Sequence, residues 1–370
     1  MRKLLPCKRA LSIALIVALL CSLMAPTAFA EAISSNRNAQ AQSQETVSPE
    51  TAQPGELEPS DHSLTDMVRV SIELEDPGTL DAGFAMDKIA KNSAARSYRE
   101  NLLANQNEVA SRIRSAVSGD LVVKWNITLA ANIISAEVRY GDLDAIGSVP
   151  GVKHVFLEDH YDAPVVEKNE TADPNTSNSS AYMVGAAESW AEGYTGAGSR
   201  IAIIDTGLDT THQSVNEDAF HYAIAQTGKS VSLFTQSDLS AVLTQLNAYQ
   251  ELTSNKPTAA QLYHTAKIPY GFNYIDSAYY TQIDHLNDTQ GEHGSHVAGI
   301  AAANRFIKNG SSYADAASSV HAVGMAPDAQ LFIMKVFGAA GGAYDSDYMV
   351  ATVDATFIKQ AYLGSTTLSW

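Results

Sequence analysis

The chain has 370 residues, a length that suggests two or three domains, and 45% of them are hydrophobic, enough to build a core. Its formal net charge of −17 argues against nucleic acid or an anionic membrane surface as a partner. Both cysteines, Cys7 and Cys21, fall within the first thirty residues, which removes disulfides, cysteine nucleophiles and cysteine-ligated zinc from the rest of the chain.

Residues 1–30 read as a secretory signal peptide. Arg2, Lys3, Lys8 and Arg9 form a basic start, Ala10 to Met24 an apolar run, and Ala28-Phe29-Ala30 a small-x-small cleavage signal. The run is short for a bilayer span, and Leu20 before Cys21 does not suit a lipid-attachment site. Cleavage takes the net charge from −17 to −21, because the segment carries four basic and no acidic residues. The product is expected outside the cell, with no membrane span. Residues 31–65 are rich in Ser, Gln, Glu, Asn and Pro and poor in bulky apolar side chains, which predicts a disordered linker.

An ordered module is expected over 66–162. Val68, Val70, Ile72 and Leu74 alternate with polar residues, the period of a half-buried strand. Tyr98, Leu102, Val109, Ile113 and Val117 recur at helical spacing, with Gly119 placed to stop the helix. Two strands follow over 121–129 and 132–140, then a short helix from Asp142, a turn at Pro150-Gly151 and a strand over 152–157. The order is strand, helix, two strands, helix, strand: an α+β, split βαβ, ferredoxin-like module.

Residues 163–180 are polar and read as an exposed connector. From 181 the pattern becomes α/β. A short helix is expected to carry Val184, Ala187 and Trp190. Ile201 to Ile204 and Leu331 to Phe337 are continuous apolar strands, which implies burial on both faces in a parallel sheet. Residues 296–303 and 347–359 read as helices.

Asp205 stands directly after the first apolar strand, where open α/β sheets place their sites; it fits a site carboxylate or a simple strand-end cap. His293 stands at an expected helix N-terminus within the run Gly291-Glu292-His293-Gly294-Ser295-His296-Val297-Ala298-Gly299-Ile300. His293 and His296 are three residues apart, a spacing that suits a metal pair, but the order is not that of the His-Glu-x-x-His zinc motif. His296 is expected to pack as a structural histidine. No metal site is assigned, and a structural calcium ion is left open. Gly341, Gly342 and Tyr344 lie in a glycine-rich stretch that fits an ordinary loop or the wall of a substrate cleft.

An acid that precedes a histidine follows the chain order of the subtilisin arrangement. Ile203-Ile204-Asp205-Thr206-Gly207-Leu208-Asp209 and His293-Gly294-Ser295-His296-Val297-Ala298-Gly299 resemble the aspartate and histidine boxes of the subtilases. Gly324-Met325-Ala326-Pro327 and the strand after it are similar to the segment that follows the histidine helix in that family. The 88-residue interval from Asp205 to His293, with Lys267 to Tyr274 and Gly341 to Tyr344, resembles the lactocepin and C5a-peptidase branch. The resemblance implies a serine endopeptidase acting on protein or peptide substrates. His293 would be the general base, Asp205 its orienting acid, and Gly341, Gly342 and Tyr344 would line the cleft. Residues 66–162 would be an inhibitory propeptide that binds the catalytic domain, residues 181–370.

The family also needs a serine in a Gly-Thr-Ser context and an oxyanion asparagine on the strand after the 347–359 helix. No Gly-Thr-Ser occurs in the 370 residues, and 359–370 do not look like the family. The expectation is therefore a chain that stops before its nucleophile, as a frameshift or early stop would produce, and that is inactive as written. The alternative is a non-catalytic secreted inhibitor or chaperone for another subtilase. The sequons at Asn169 and Asn309 read as incidental.

Overall fold

The computed structural model describes residues 62–164, 184–251, 256–317 and 323–363. The signal peptide, nearly all of the expected linker, most of the connector with Asn169, and the last seven residues lie outside the described residues.

The first half builds one antiparallel sheet. Its strands are β1 (Met67–Leu74), β2 (Val122–Ile127), β3 (Ile133–Arg139) and β4 (Val152–Leu157), in the order β2-β3-β1-β4. A long helix, α1 (Ser93–Ala116), follows β1, and a short one, α2 (Leu143–Gly147), precedes β4. Asn92 caps α1 by accepting from Ala94 N and Ala95 N. Val70, Ile72, Ile134, Ala136 and Val138 from the sheet meet Val109 and Ile113 from α1 in one apolar cluster.

The opposite face of this sheet is covered as well, so β1 is not the half-buried strand that its alternation suggests. Arg69, Ser71 and Ser135 are buried. Arg69 and Ser135 meet a helix from the second half, and Ser71 donates to Glu158. Alternation marks which residues share a face. It does not say whether the polar face meets water or another part of the chain.

After β5 (His160–Tyr161), the second half starts with α3 (Ala186–Ala191) and β6 (Arg200–Asp205). The buried residues of α3 are Ala186 and Trp190, whereas Val184 precedes the helix and is exposed, as is Ala187. Four helices then fill the interval: α4 (Glu217–Gln226), α5 (Gln236–Val242), α6 (Asn247–Glu251) and α7 (Ala259–Leu262). Asn216 caps α4, and the pairs Thr235–Asp238 and Thr258–Gln261 form capping boxes on α5 and α7. Strand β7 (Tyr270–Asn273), helix α8 (His293–Ala302), the hairpin β8 (Phe306–Asn309) and β9 (Ser312–Asp315), strand β10 (Gln330–Lys335), the short β11 (Ala343–Tyr344) and helix α9 (Asp345–Leu363) complete the described order.

The central sheet is parallel, in the order β6-β10-β7. Every residue of β10 is buried, as a continuous apolar central strand requires. The same expectation does not hold for β6, one of whose faces borders an open cavity: Ala202 is exposed, and Ile201 and Ile204 are only half-buried. The described residues form one unit. Ile89, Ala95, Trp125 and Ile127 from the first half lie in the same apolar cluster as Leu246, Phe272, Phe332 and Phe357 from the second. Among the described residues no helix is long and apolar enough to cross a membrane.

Candidate active site

Strand β6 delivers Asp205 to the carboxyl end of the parallel sheet, in register with Lys335 on β10. Helix α8 begins at His293. The two side chains meet there: His293 Nδ1 lies 2.9 Å from Asp205 Oδ1 and 3.0 Å from Oδ2. A carboxylate only accepts, so Nδ1 carries the proton in this pair and Nε2 is the basic nitrogen. The histidine side chain is 28% exposed and the carboxylate 11%, a geometry in which a sheltered acid orients a base that a substrate can reach.

Local contacts fix that geometry. Thr206 N donates to Asp205 Oδ1 at 2.7 Å, and Gly294 N donates to Thr206 Oγ1 at 2.9 Å. The residue after the acid thus satisfies a free N–H at the start of α8, where no flanking side chain does so. The backbones of Gly207 and Gly294 press so closely that a Cβ at either would collide with neighbouring backbone, and Gly207 also has φ +107°. Buried Lys335 donates to Thr206 O at 2.9 Å and pairs with Asp288, whose side chain is 8% exposed. One ammonium therefore ties the loop after the acid to the loop before the base.

Ser295, the neighbour of His293 in sequence, is committed elsewhere. Its Oγ accepts from Asp209 N at 2.8 Å and shares a 2.6 Å hydrogen bond with His285 Nε2. His296 is exposed, not packed as expected, because it falls on the solvent side of α8. Among the described residues no group of three or more His, Cys, Asp or Glu is arranged to hold a metal ion.

Gly341 and Gly342 both have positive φ, +85° and +82°, and lead into β11. This strand pairs antiparallel with β5, Ala343 opposite Tyr161 and Tyr344 opposite His160. Asp345 holds the partner strand on both of its oxygens: Oδ2 accepts from Asp159 N and Oδ1 from Tyr161 Oη, each at 2.9 Å. That hydrogen bond, with the charge behind it, pushes the Tyr161 phenol up. Tyr161 packs edge-on to Tyr348, whose phenol is pushed up to about 12, first by burial and then by the charge of Asp205. The sequence pattern did not reveal β5, Asp345 or Tyr348. A two-residue strand has no period of its own, and only the fold shows what it pairs with.

A cavity of about 950 Å³ runs past Ala202 and Phe332 to Lys359. Neither Asp205 nor His293 lines it, so chemistry and not volume places the site.

An acid–base pair at the carboxyl end of a parallel sheet, with the acid first in the chain, is the arrangement of the subtilases, and residues 196–362 match the Subtilase family. The chain carries a domain of that family. It is 30% identical over 228 residues to the PII-type proteinase of Lacticaseibacillus paracasei and 31% identical over 228 residues to the PIII-type proteinase of Lactococcus lactis subsp. cremoris, matches that cover 62% of this chain. It is 24% identical over 301 residues to the minor extracellular protease Vpr of Bacillus subtilis, over 80% of this chain. The aligned region amounts to 9% of each of the first two relatives and 28% of the third. Among solved structures, the epidermin leader peptide processing serine protease (EpiP) from Staphylococcus aureus aligns over 78% of this chain and 47% of its own, at 16% identity and a TM-score of 0.34, too low to carry any argument.

Proposed function

We propose that this chain supplies the acid and base of a subtilase-type serine endopeptidase, exported and held in an inhibited state by its own residues 66–162. The observation that carries the reading is the 2.9 Å contact between His293 Nδ1 and Asp205. In this role His293 Nε2 takes the proton of a serine hydroxyl as it attacks a peptide carbonyl and then returns it to the leaving amine. Asp205 holds the ring and stabilises the imidazolium. Protein or peptide chains are the substrates, and Gly341, Gly342 and Tyr344 wall the cleft that receives them.

Residues 66–162 act as the propeptide domain, with a ferredoxin-like strand order, and 163–180 as the connector to the catalytic domain. The pairing of β5 with β11 supports inhibition, because a segment already hydrogen-bonded to the cleft wall excludes a substrate strand. Signal cleavage after Ala30 delivers the chain outside the cell.

Residues 1–370 contain no Gly-Thr-Ser, and Ser295 is held by His285 and Asp209. On this reading these residues alone form no acyl-enzyme. In subtilisin, the family member from which the figure comes, loss of the nucleophile costs about 10⁶ in kcat.

A fluorophosphonate probe tests this reading. Purified residues 31–370 should remain unlabelled, while a chain extended through any downstream reading frame that restores a Gly-Thr-Ser should be labelled, and His293→Ala should abolish that labelling. Labelling of residues 31–370 that depends on His293 would show that a serine within them is the nucleophile.

A further inference from the structure

A strap of chain, residues 283–288, lies between β7 and α8 in sequence and runs along the loop that follows Asp205. Ile283 O accepts from Leu208 N at 2.8 Å. Gly207 sits so close to the strap that a Cβ there would fall 2.4 Å from the same carbonyl oxygen. Ile283 is itself buried in one apolar cluster with Ile203 of β6, Leu208 and Ala298 of α8. At the far end of the strap Asp288 pairs with Lys335, and Asp288 N donates to His285 O at 3.1 Å. The strap belongs to the long interval between acid and base, outside the sequence boxes that carry them.

His285 is the buried polar side chain of the strap. Its Nε2 lies 2.6 Å from the Oγ of Ser295, which stands in the first turn of α8, two residues after His293. The same hydroxyl oxygen accepts from Asp209 N at 2.8 Å. One hydroxyl therefore joins three segments: the loop after the acid, the strap, and the helix that carries the base. Four other helical serines behave differently. Ser111, Ser115, Ser189 and Ser240 each donate to the carbonyl four residues back, at 2.9, 3.1, 2.9 and 3.0 Å, the local bond that a helical serine is placed to make. Ser295 reaches out of its helix instead, and His285 is the side chain it meets. A hydroxyl rotates to suit its partners, so His285 keeps a Ser295 lone pair aimed at Asp209 N.

We propose that His285 is a positioning residue for the Asp205–His293 pair: through Ser295, the strap holds the first turn of α8 at the distance the pair requires. The proposal rests on the reading of His293 as the base and deepens it, because it gives part of the long interval a task at the site. His293 Nδ1 meets the two Asp205 oxygens at 2.9 and 3.0 Å, and a geometry of this kind must be held to within about 0.5 Å to stay productive. The bond from Gly294 N to Thr206 Oγ1 ties the acid loop to α8 at one point. A helix turn held at one point can pivot about it. The Ser295–Asp209 bond is a second point on the same turn, and two points fix the direction in which the His293 side chain leaves the helix. His285 acts through that second point. The buried Ile283 keeps the strap in place whether or not the imidazole is present.

NMR of the whole chain with ¹⁵N-labelled histidine tests this. In His285→Ala the His293 Nδ1 proton should exchange with water about tenfold faster than in wild type, and its resonance should move toward that of a free imidazole. His285→Gln should restore the wild-type signal, because a glutamine amide can donate or accept in the place of Nε2. His212→Gln, which removes the ring that bonds Ser214, should leave the signal where it is. An unchanged Nδ1 proton in His285→Ala, no recovery in His285→Gln, or an equal change in His212→Gln would overturn the proposal. If His285→Ala does not fold, Ser295→Ala decides. It removes only the hydroxyl of a half-buried residue and should give the same faster exchange; an unchanged rate would equally overturn the proposal. A signal indifferent to Asp205→Ala would defeat the acid–base reading itself, whereas one lost in Asp205→Ala and unmoved in His285→Ala would defeat this inference alone.

Discussion

Lys335→Met removes the ammonium that links the loop after Asp205 to the loop before His293, and keeps most of the stem's volume. The wild-type ammonium donates to Thr206 O at 2.9 Å and pairs with Asp288. The two side chains are 2% and 8% exposed, so the discount that applies to solvent-screened pairs does not apply here. Asp288 keeps a 3.0 Å hydrogen bond from Gln290 Nε2 but no cation. Breaking a buried pair from one side costs about 3–5 kcal/mol. At about 2–4 °C per kcal/mol for a unit of this size, the midpoint should fall by roughly 6–20 °C. Calorimetry and urea unfolding measure it. The double variant Lys335→Met/Asp288→Asn should regain about 1–2 kcal/mol, because no buried charge is then left unpaired. A single variant within about 1 kcal/mol of wild type, or a double variant no more stable than the summed singles, would refute the reasoning.

Trp125→Ala should cost about 3–5 kcal/mol, since the ring is buried in the shared cluster and its Nε1 donates to Asp347; urea midpoints check this. Asp354 gives a pH signature. Its folded pKa is raised to about 6 from the ordinary 3.8, first by burial, so between these values the folded state binds more protons than the unfolded one. Its contribution to stability therefore falls as pH rises from about 4 to about 6, and Asp354→Asn should flatten that part of the profile. Asp345→Ala should free β5 from β11 and speed proteolysis near Tyr161, detected by mass spectrometry; an unchanged cleavage pattern would count against Asp345 as its anchor. N-terminal sequencing of the exported product should begin at Glu31.

The periodic elements of the fold were legible in the sequence. The β1 alternation, the α1 stripe and the apolar β10 each carried a pattern set by their own residues. Asp205 and His293 were legible as a pair because a strand end and a helix start impose neighbours of defined type. What stayed hidden depends on contacts between distant segments. Arg69 lies on the polar face of the alternating strand yet is buried, and no local pattern shows that Asp347 awaits it. The burial expected of Ile201–Ile204 held only for Ile203, because an apolar run does not reveal whether both faces of its strand are covered. The interval before His293 offered a missed signal of its own, since Thr235 with Asp238 and Thr258 with Gln261 are capping boxes that mark helix starts.

The most direct test of the acid–base assignment is the tautomer of His293, read by ¹⁵N and ¹H NMR on residues 31–370 with labelled histidine. The contact at 2.9 Å predicts a proton on Nδ1, a downfield resonance from its hydrogen bond to Asp205, and loss of that resonance in Asp205→Ala while the fold is retained. A proton on Nε2 in the neutral ring, or a His293 spectrum indifferent to Asp205→Ala, would contradict the account.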